Sequence, residues 1–246
     1  MTLTVPALHH EPIRVTFPDG FLGVLMLDTQ FPRPMGDIGH PSAFGVPTRR
    51  CVISGAWPDK IVQSGAGLRK GRVVTPILQL ARRLEHDGAK AITTSCGFLV
   101  LLQKELQATV KVPVITSSLL QLPGLLATQP KVGVLTISSG KLGLEHLRAA
   151  GVPKDRMKDV VVQGVDPKGE FATVILGNQL YMDVIKTSEE VVAAAITLKK
   201  REPSLENVVL ECTNMPPYRD AIEAATGLKT YALTDDERLL RPWRSA

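Results

Sequence analysis

Short apolar runs bounded by Gly, Pro or polar clusters recur along the chain at residues 22–27, 51–54, 89–94 and 112–115. The series returns at 131–137, 159–163, 207–210 and 229–233. Their lengths predict strands, and their unbroken apolar character predicts strands covered on both faces, as in a parallel sheet. Helical signals fill the intervals. Thr75 is placed to cap a helix that Pro76 opens; Ile77, Leu80, Ala81 and Leu84 share one face, and Gly88 ends it. Thr187 with Glu190 reads as a capping box for a helix that stops before Pro203. Ser139 is placed to cap a helix closed by Gly151, and Asn214 with Pro216 to open one that ends at Gly227. Alternating strands and helices predict a doubly wound α/β architecture.

The chain also repeats itself. Gly23-Val24-Leu25-Met26-Leu27 matches Val132-Gly133-Val134-Leu135-Thr136, and Ala91-Ile92-Thr93-Thr94-Ser95-Cys96 matches Val208-Val209-Leu210-Glu211-Cys212. The spans from Val24 to Cys96 and from Val134 to Cys212 are nearly equal. We therefore expect two pseudo-symmetric α/β domains, each with a mainly parallel four-stranded sheet, facing each other across a cleft. The first is expected over residues 1–116, with 235–246 returning to it, and the second over 117–234.

Composition narrows the function. The 246 residues are 44% hydrophobic and 22% charged, ordinary for a soluble globular protein. No apolar run of about 18 residues predicts a membrane span, and no signal-peptide pattern opens the chain. Residues 1–19, with Pro6, His9, His10, Pro12 and Pro18, read as an extended or loosely held arm. The net charge of +5 is scattered, and aromatic residues make up only 4%, which argues against a nucleic-acid stacking surface. A small anionic substrate suits that charge, and apolar helix faces admit a homodimer. The histidines show no metal-ligand spacing, neither a complete dinucleotide fingerprint nor a P-loop occurs, and nothing calls for a cofactor.

Three cysteines do not make a disulfide scaffold. Cys51 starts an apolar run and reads as a core residue. Cys96 and Cys212 differ, because each sits where a predicted strand turns into a helix, the corner at which open α/β sheets place their ligands. Backbone N–H groups at the start of the following helix attract anions and favour a thiolate. Gly97 lets a ligand approach the backbone, and Thr94, Ser95, Thr213 and Asn214 supply uncharged donors for a carboxylate. Either cysteine alone is as well explained as a small buried residue; their matched placement favours chemistry. Across a cleft, one thiolate could take a proton from a carbon beside a carboxylate while the other thiol delivers one to the opposite face. Thiols working in this way must stay reduced, which favours the cytoplasm.

The repeat, with Thr94-Ser95-Cys96-Gly97 and Glu211-Cys212-Thr213-Asn214 at corresponding corners, resembles the aspartate/glutamate racemase superfamily over nearly everything from Leu22 to Leu240. That resemblance implies two α/β domains around a cofactor-free site and proton transfer by Cys96 and Cys212. It adds the small polar residues after the first strand of each half, Asp28 and Thr29, then Thr136, Ser138 and Ser139, to the substrate-binding set. Where glutamate and aspartate racemases carry Asn-Thr after the first cysteine, this chain has Gly97-Phe98. The expected activity is a cofactor-independent racemase or isomerase of a small carboxylic acid, in amino-acid or related metabolism, with Cys96 and Cys212 as the two bases. The rivals are a decarboxylase of a malonate-like acid that uses Cys212 as proton donor, and a non-catalytic protein that closes on a small acid. A cysteine hydrolase using Glu211 is the weakest, because adjacent strand residues point to opposite faces. Residues 29–41, rich in Pro and Gly, leave the first strand near the site mouth. They read either as a lid bringing Arg33 or His40 to the substrate or as a rigid surface loop.

Overall fold

The structure is a computed structural model that describes residues 17–70 and 73–244; most of the expected N-terminal arm, with His9 and His10, lies outside them. Among the described residues, eight strands form two sheets. In the first, β1 (Phe21–Leu27), β2 (Thr48–Ile53), β3 (Ala89–Thr94) and β4 (Val114–Ile115) lie in the order β2-β1-β3-β4. In the second, β5 (Val132–Thr136), β6 (Val160–Gly164), β7 (Asn207–Leu210) and β8 (Lys229–Tyr231) lie in the order β6-β5-β7-β8. Every pairing is parallel. The two sheets therefore share one topology, α/β and pseudo-symmetric as the repeat predicts.

That topology selects a site. In each sheet the chain leaves its first strand toward one side, then crosses to the other side to lay down the third. The crevice at the carboxyl ends of β1 and β3, and of β5 and β7, is the switch point where such sheets bind ligands. Burial follows the same logic. All of β1, β5 and β7 is buried, whereas edge strand β2 is mostly half-exposed. Leu22, Val24 and Met26 face one side of β1, where they pack with Ile38, Phe44, Ile115 and Leu239 from the C-terminal helix Glu237–Arg244. Phe21, Leu25 and Leu27 face the other side and join a core that continues through both sheets.

Several helix starts differ from the sequence reading. The helix expected from Thr75 spans Val74–His86, so Pro76 lies within its first turn and Thr75 does not cap it. Asp183 caps Val184–Arg201 through the N–H groups of Ile185 and Lys186. Thr187 is inside that helix and bonds the Tyr218 hydroxyl, while Glu190 accepts from the N–H groups of Glu170 and Phe171 at the start of another helix. The helix before Gly151 is Leu144–Ala149, entered from Gly143 rather than Ser139. Gly227 ends Arg219–Thr226 in the left-handed conformation, as expected.

The two sheets are bonded at their corners. The Thr213 hydroxyl donates to the Ser95 carbonyl at 2.7 Å, and the Ser118 hydroxyl donates to the Leu210 carbonyl at 2.7 Å. Gly97 fits against Glu211 so closely that a Cβ there would sit 2.3 Å from both the Glu211 carbonyl oxygen and its Oε1. Farther out, Asn178 in the left-handed region (φ 50°) accepts from Gln30 N–H at 2.8 Å, tying the segment after β1 to the second domain. The dovetail is testable with a pair of glycines. Gly97→Ala is expected to lower unfolding stability by about 1–3 kcal/mol through overpacking. Gly124→Ala, in the helix Leu122–Thr128 with nothing near its Cβ position, is expected to raise it by about 0.5–1 kcal/mol. Denaturant midpoints measure both, and equal behaviour of the two variants would contradict the contact.

Candidate active site

Both cysteines follow the end of a central strand by two residues, and the backbone repeats itself there. Ser95 N–H donates to the Leu25 carbonyl, and Glu211 N–H donates to the Leu135 carbonyl. Ser95 and Glu211 are thus structural counterparts, as are Cys96 and Cys212. The Ser95 hydroxyl accepts from Leu27 N–H at 2.8 Å and closes the gap to β1. Thr94 Oγ1 donates to the Cys96 carbonyl at 3.0 Å and to the Thr116 carbonyl at 2.8 Å, which fixes the corner from below. Cys96 is extended and leads directly into the 3-10 helix Gly97–Leu102.

The two thiols, 8% and 6% exposed, line one cavity between the sheets. Its volume is about 360 Å³, part of it open to solvent. Its walls include Ser95, Gly97, Phe98, Thr213 and Asn214 from the corners, Thr29, Phe31 and Arg33 from the segment after β1, and apolar Leu27, Val62, Ile137 and Ile175. Burial pushes the Cys96 thiol up to about 12, reinforced by the Glu211 carboxylate; the N–H groups of Phe98 and Leu99 and the Arg33 guanidinium oppose it. Cys212 is raised well above the ordinary thiol range by burial and then by Glu211, with Asn214 opposing. Its Sγ lies 3.6 Å from Asn214 Oδ1, positioned to donate.

The structure gathers most, not all, of the predicted site residues. Cys96, Cys212, Thr29, Ser95, Gly97, Thr213 and Asn214 line the cavity. Thr94 braces the corner, and Asp28 accepts from Gly55 N–H at 2.8 Å. Thr136 reaches the cavity only through Glu211, to whose Oε2 it donates at 2.7 Å. Ser138 and Ser139 lie in the turn after β5; Ser138 N–H is held by Thr136 Oγ1 at 3.3 Å.

Three polar residues take a larger part than their sequence positions announce. Arg33 stacks over Phe31 at 4.1 Å, donates to Thr29 at 2.6 Å and pairs with Asp37 at 2.9 Å. Asp37, fully buried, accepts from Asn214 Nδ2 at 2.7 Å, so the 29–41 segment is bonded to the second corner. His40 turns instead to Ser42 at 2.8 Å. Glu211, 1% exposed, faces the cavity despite its expected outward orientation; β7 ends at Leu210, so strand alternation no longer governs it. Burial raises its carboxyl to about 7, opposed by the Thr136 hydroxyl. Among the described residues no group of three His, Cys, Asp or Glu side chains is arranged to hold a metal ion, and no helix is long and apolar enough to cross a membrane.

Comparison with known proteins places this geometry. No protein-family model matches the chain. Among solved structures, a mutant of arylmalonate decarboxylase in a liganded form superposes with a TM-score of 0.57, covering 92% of this chain and 94% of that one at 14% identity. Glutamate racemase from Francisella tularensis superposes with a TM-score of 0.54, covering 92% and 80% at 16% identity. These likenesses show a shared fold. Curated relatives are closer in sequence. A dimethylsulfoniopropionate lyase of Durusdinium sp. clade D is 31% identical over 217 residues, 85% of this chain and 70% of that protein. Dimethylsulfoniopropionate lyase 6 of Emiliania huxleyi is 29% identical over 221 residues, 85% of this chain but only 56% of that protein.

These relatives overturn the expected racemase or isomerase, its two-base exchange between Cys96 and Cys212, and its place in amino-acid metabolism. The physical reason is that paired cysteine corners are compatible with any reaction that begins by proton removal beside a carboxylate, a first step common to isomerisation and elimination. What leaves afterwards depends on the rest of the cavity. By sequence the chain belongs to the dimethylsulfoniopropionate lyase family, and it shares its fold with arylmalonate decarboxylase and glutamate racemase.

Proposed function

We propose that the chain is a lyase that eliminates dimethyl sulfide from dimethylsulfoniopropionate. The observation that carries the reading is Cys96, a buried thiol that shares one cavity with Cys212, Glu211 and the Arg33 guanidinium. The substrate is a zwitterion, with a carboxylate at one end and a sulfonium on the carbon β to it. Its α-hydrogen is acidified by the carboxylate only weakly, so the base must be strong. A thiolate kept scarce by burial is a strong base when it forms.

The Cys96 thiolate takes the proton from the α-carbon. The C–H electron pair becomes the second bond between the α- and β-carbons. The β-carbon–sulfur bond breaks with its pair going to sulfur, which leaves as neutral dimethyl sulfide. The unsaturated acid remains, and the Cys96 thiol returns its proton to water. Arg33, backed by Asp37 and Thr29, is positioned to hold the substrate carboxylate where charge builds as the proton departs. Cys212, held neutral beside Glu211, acts as a thiol and not as a second base. Function through free thiols suits a reducing compartment such as the cytoplasm.

Headspace gas chromatography after incubation with dimethylsulfoniopropionate tests the activity, and sulfide release no faster than the buffer control would refute it. Cys96→Ser is expected to lower kcat by about 10²–10⁴, the range for loss of a general base. Cys212→Ser is expected to lose less; the opposite ranking would move the base to Cys212. The pH profile gives a separate test. Because the free thiol is raised and not depressed, its ionised fraction grows with pH well beyond the ordinary thiol range. kcat/KM is therefore expected to climb through pH 9 without the plateau that a thiol with an unperturbed pKa near ~8.5 would give.

A further inference from the structure

At the matching place in the two halves, Ser95 and Glu211 are treated differently. The Ser95 hydroxyl is satisfied by the Leu27 N–H. Glu211 keeps one carboxyl oxygen, Oε2, on the Thr136 hydroxyl, while Oε1 is buried with no hydrogen-bond partner among the described residues. Oε1 lies over Gly97, between the two cysteine corners, where the lack of a side chain leaves it room. A buried carboxyl oxygen without a partner is costly unless something else completes it. The same cavity is lined by the apolar side chains of Phe98, Ile137 and Ile175, and none of its polar side chains donates to Oε1. Those apolar walls suit methyl groups.

We infer that Glu211 is the counter-ion of the substrate's cationic end, so that this cavity selects a methylated onium group over an uncharged group of the same shape. The inference rests on the lyase reading for the identity of the cation. It follows from the chemistry of a methylated onium, which carries full charge but donates no hydrogen bond. Such a group is recognised by an acceptor-only carboxylate and by packing on its methyls, the combination present here. Arg33, on the segment from the first domain, then takes the other charge of the zwitterion. The Thr136 hydroxyl, donating to Oε2, favours the ionised carboxylate that this role needs. Burial is the main cause that raises both thiols and the Glu211 carboxylate adds to it; an onium cation beside Glu211 offsets that added part, so substrate binding favours the Cys96 thiolate.

The test uses two probes of one shape, 3-(trimethylammonio)propionate and 4,4-dimethylpentanoate, which differ in the charge of the quaternary centre. Titration calorimetry on the wild-type chain is expected to give at least about tenfold tighter binding of the cationic probe, the scale of one buried charge pairing. Glu211→Gln, which keeps the Thr136 contact, is expected to bring the two affinities within about twofold by weakening the cationic probe alone. A wild-type ratio near one would overturn the inference even if the variant fails to fold. So would a preference that survives in Glu211→Gln, or a loss shared equally by the neutral acid, which would put Glu211 at the carboxylate end. No turnover enters this measurement. If dimethyl sulfide is not released, the lyase reading fails while the charge preference still stands or falls on the ratio.

Discussion

The contact between the two strand-end corners is the constraint on which the site depends. Thr213 donates to the carbonyl of Ser95, Ser118 donates to the carbonyl of Leu210, and Glu211 lies against Gly97. Each corner supplies groups that the other corner buries. A parallel sheet leaves backbone carbonyls and N–H groups unpaired at its carboxyl end, and these must find partners or water. Here part of that demand is met by the other domain. The two cysteines are thereby brought to one cavity by hydrogen bonds that each half needs for its own stability.

Desolvation follows from that closeness and governs the chemistry. Cys96, Cys212 and Glu211 have no more than 8% of their surface exposed, and burial is the largest influence on all three. Like charges in one dry space resist ionising together. The symmetry of the backbone is therefore broken by its side chains. Backbone N–H groups from two residues and a guanidinium attend Cys96, whereas Cys212 faces an asparagine and stands near Asp37. A fold built by repetition gives two equivalent corners; the electrostatics make them unequal.

Much of this was legible in the residues. The bounds of β3 and β7 match the apolar runs because Gly88 and Glu206 stop them on one side and polar corners on the other. Strand β2 starts at Thr48 rather than Cys51, since an edge strand tolerates Arg49 and Arg50; Arg49 covers the Phe21 ring at 4.7 Å. Thr187 and Glu190 have capping-box spacing, yet tertiary partners claimed both side chains. The cysteines were legible because strand ends are local features. Asp37 was not, because its partner Asn214 lies far away in the chain. The period-two rule that sets Glu211 and Cys212 on opposite faces lapses one residue past Leu210. Which reaction a cysteine corner serves depends on such long-range neighbours, which explains why the motif pointed to a racemase.

The suppressed ionisation of the thiols has one more consequence. An elimination of the kind proposed leaves an alkene conjugated to a carboxylate, a Michael acceptor, within reach of two sulfur atoms. Thiolates add to such acceptors, and thiols do so far more slowly. Once the onium group has departed as a neutral sulfide, the cation that favoured the thiolate is gone, and burial with Glu211 returns both cysteines to their protonated form. The same electrostatics that make the base scarce would then spare it from alkylation by its own product.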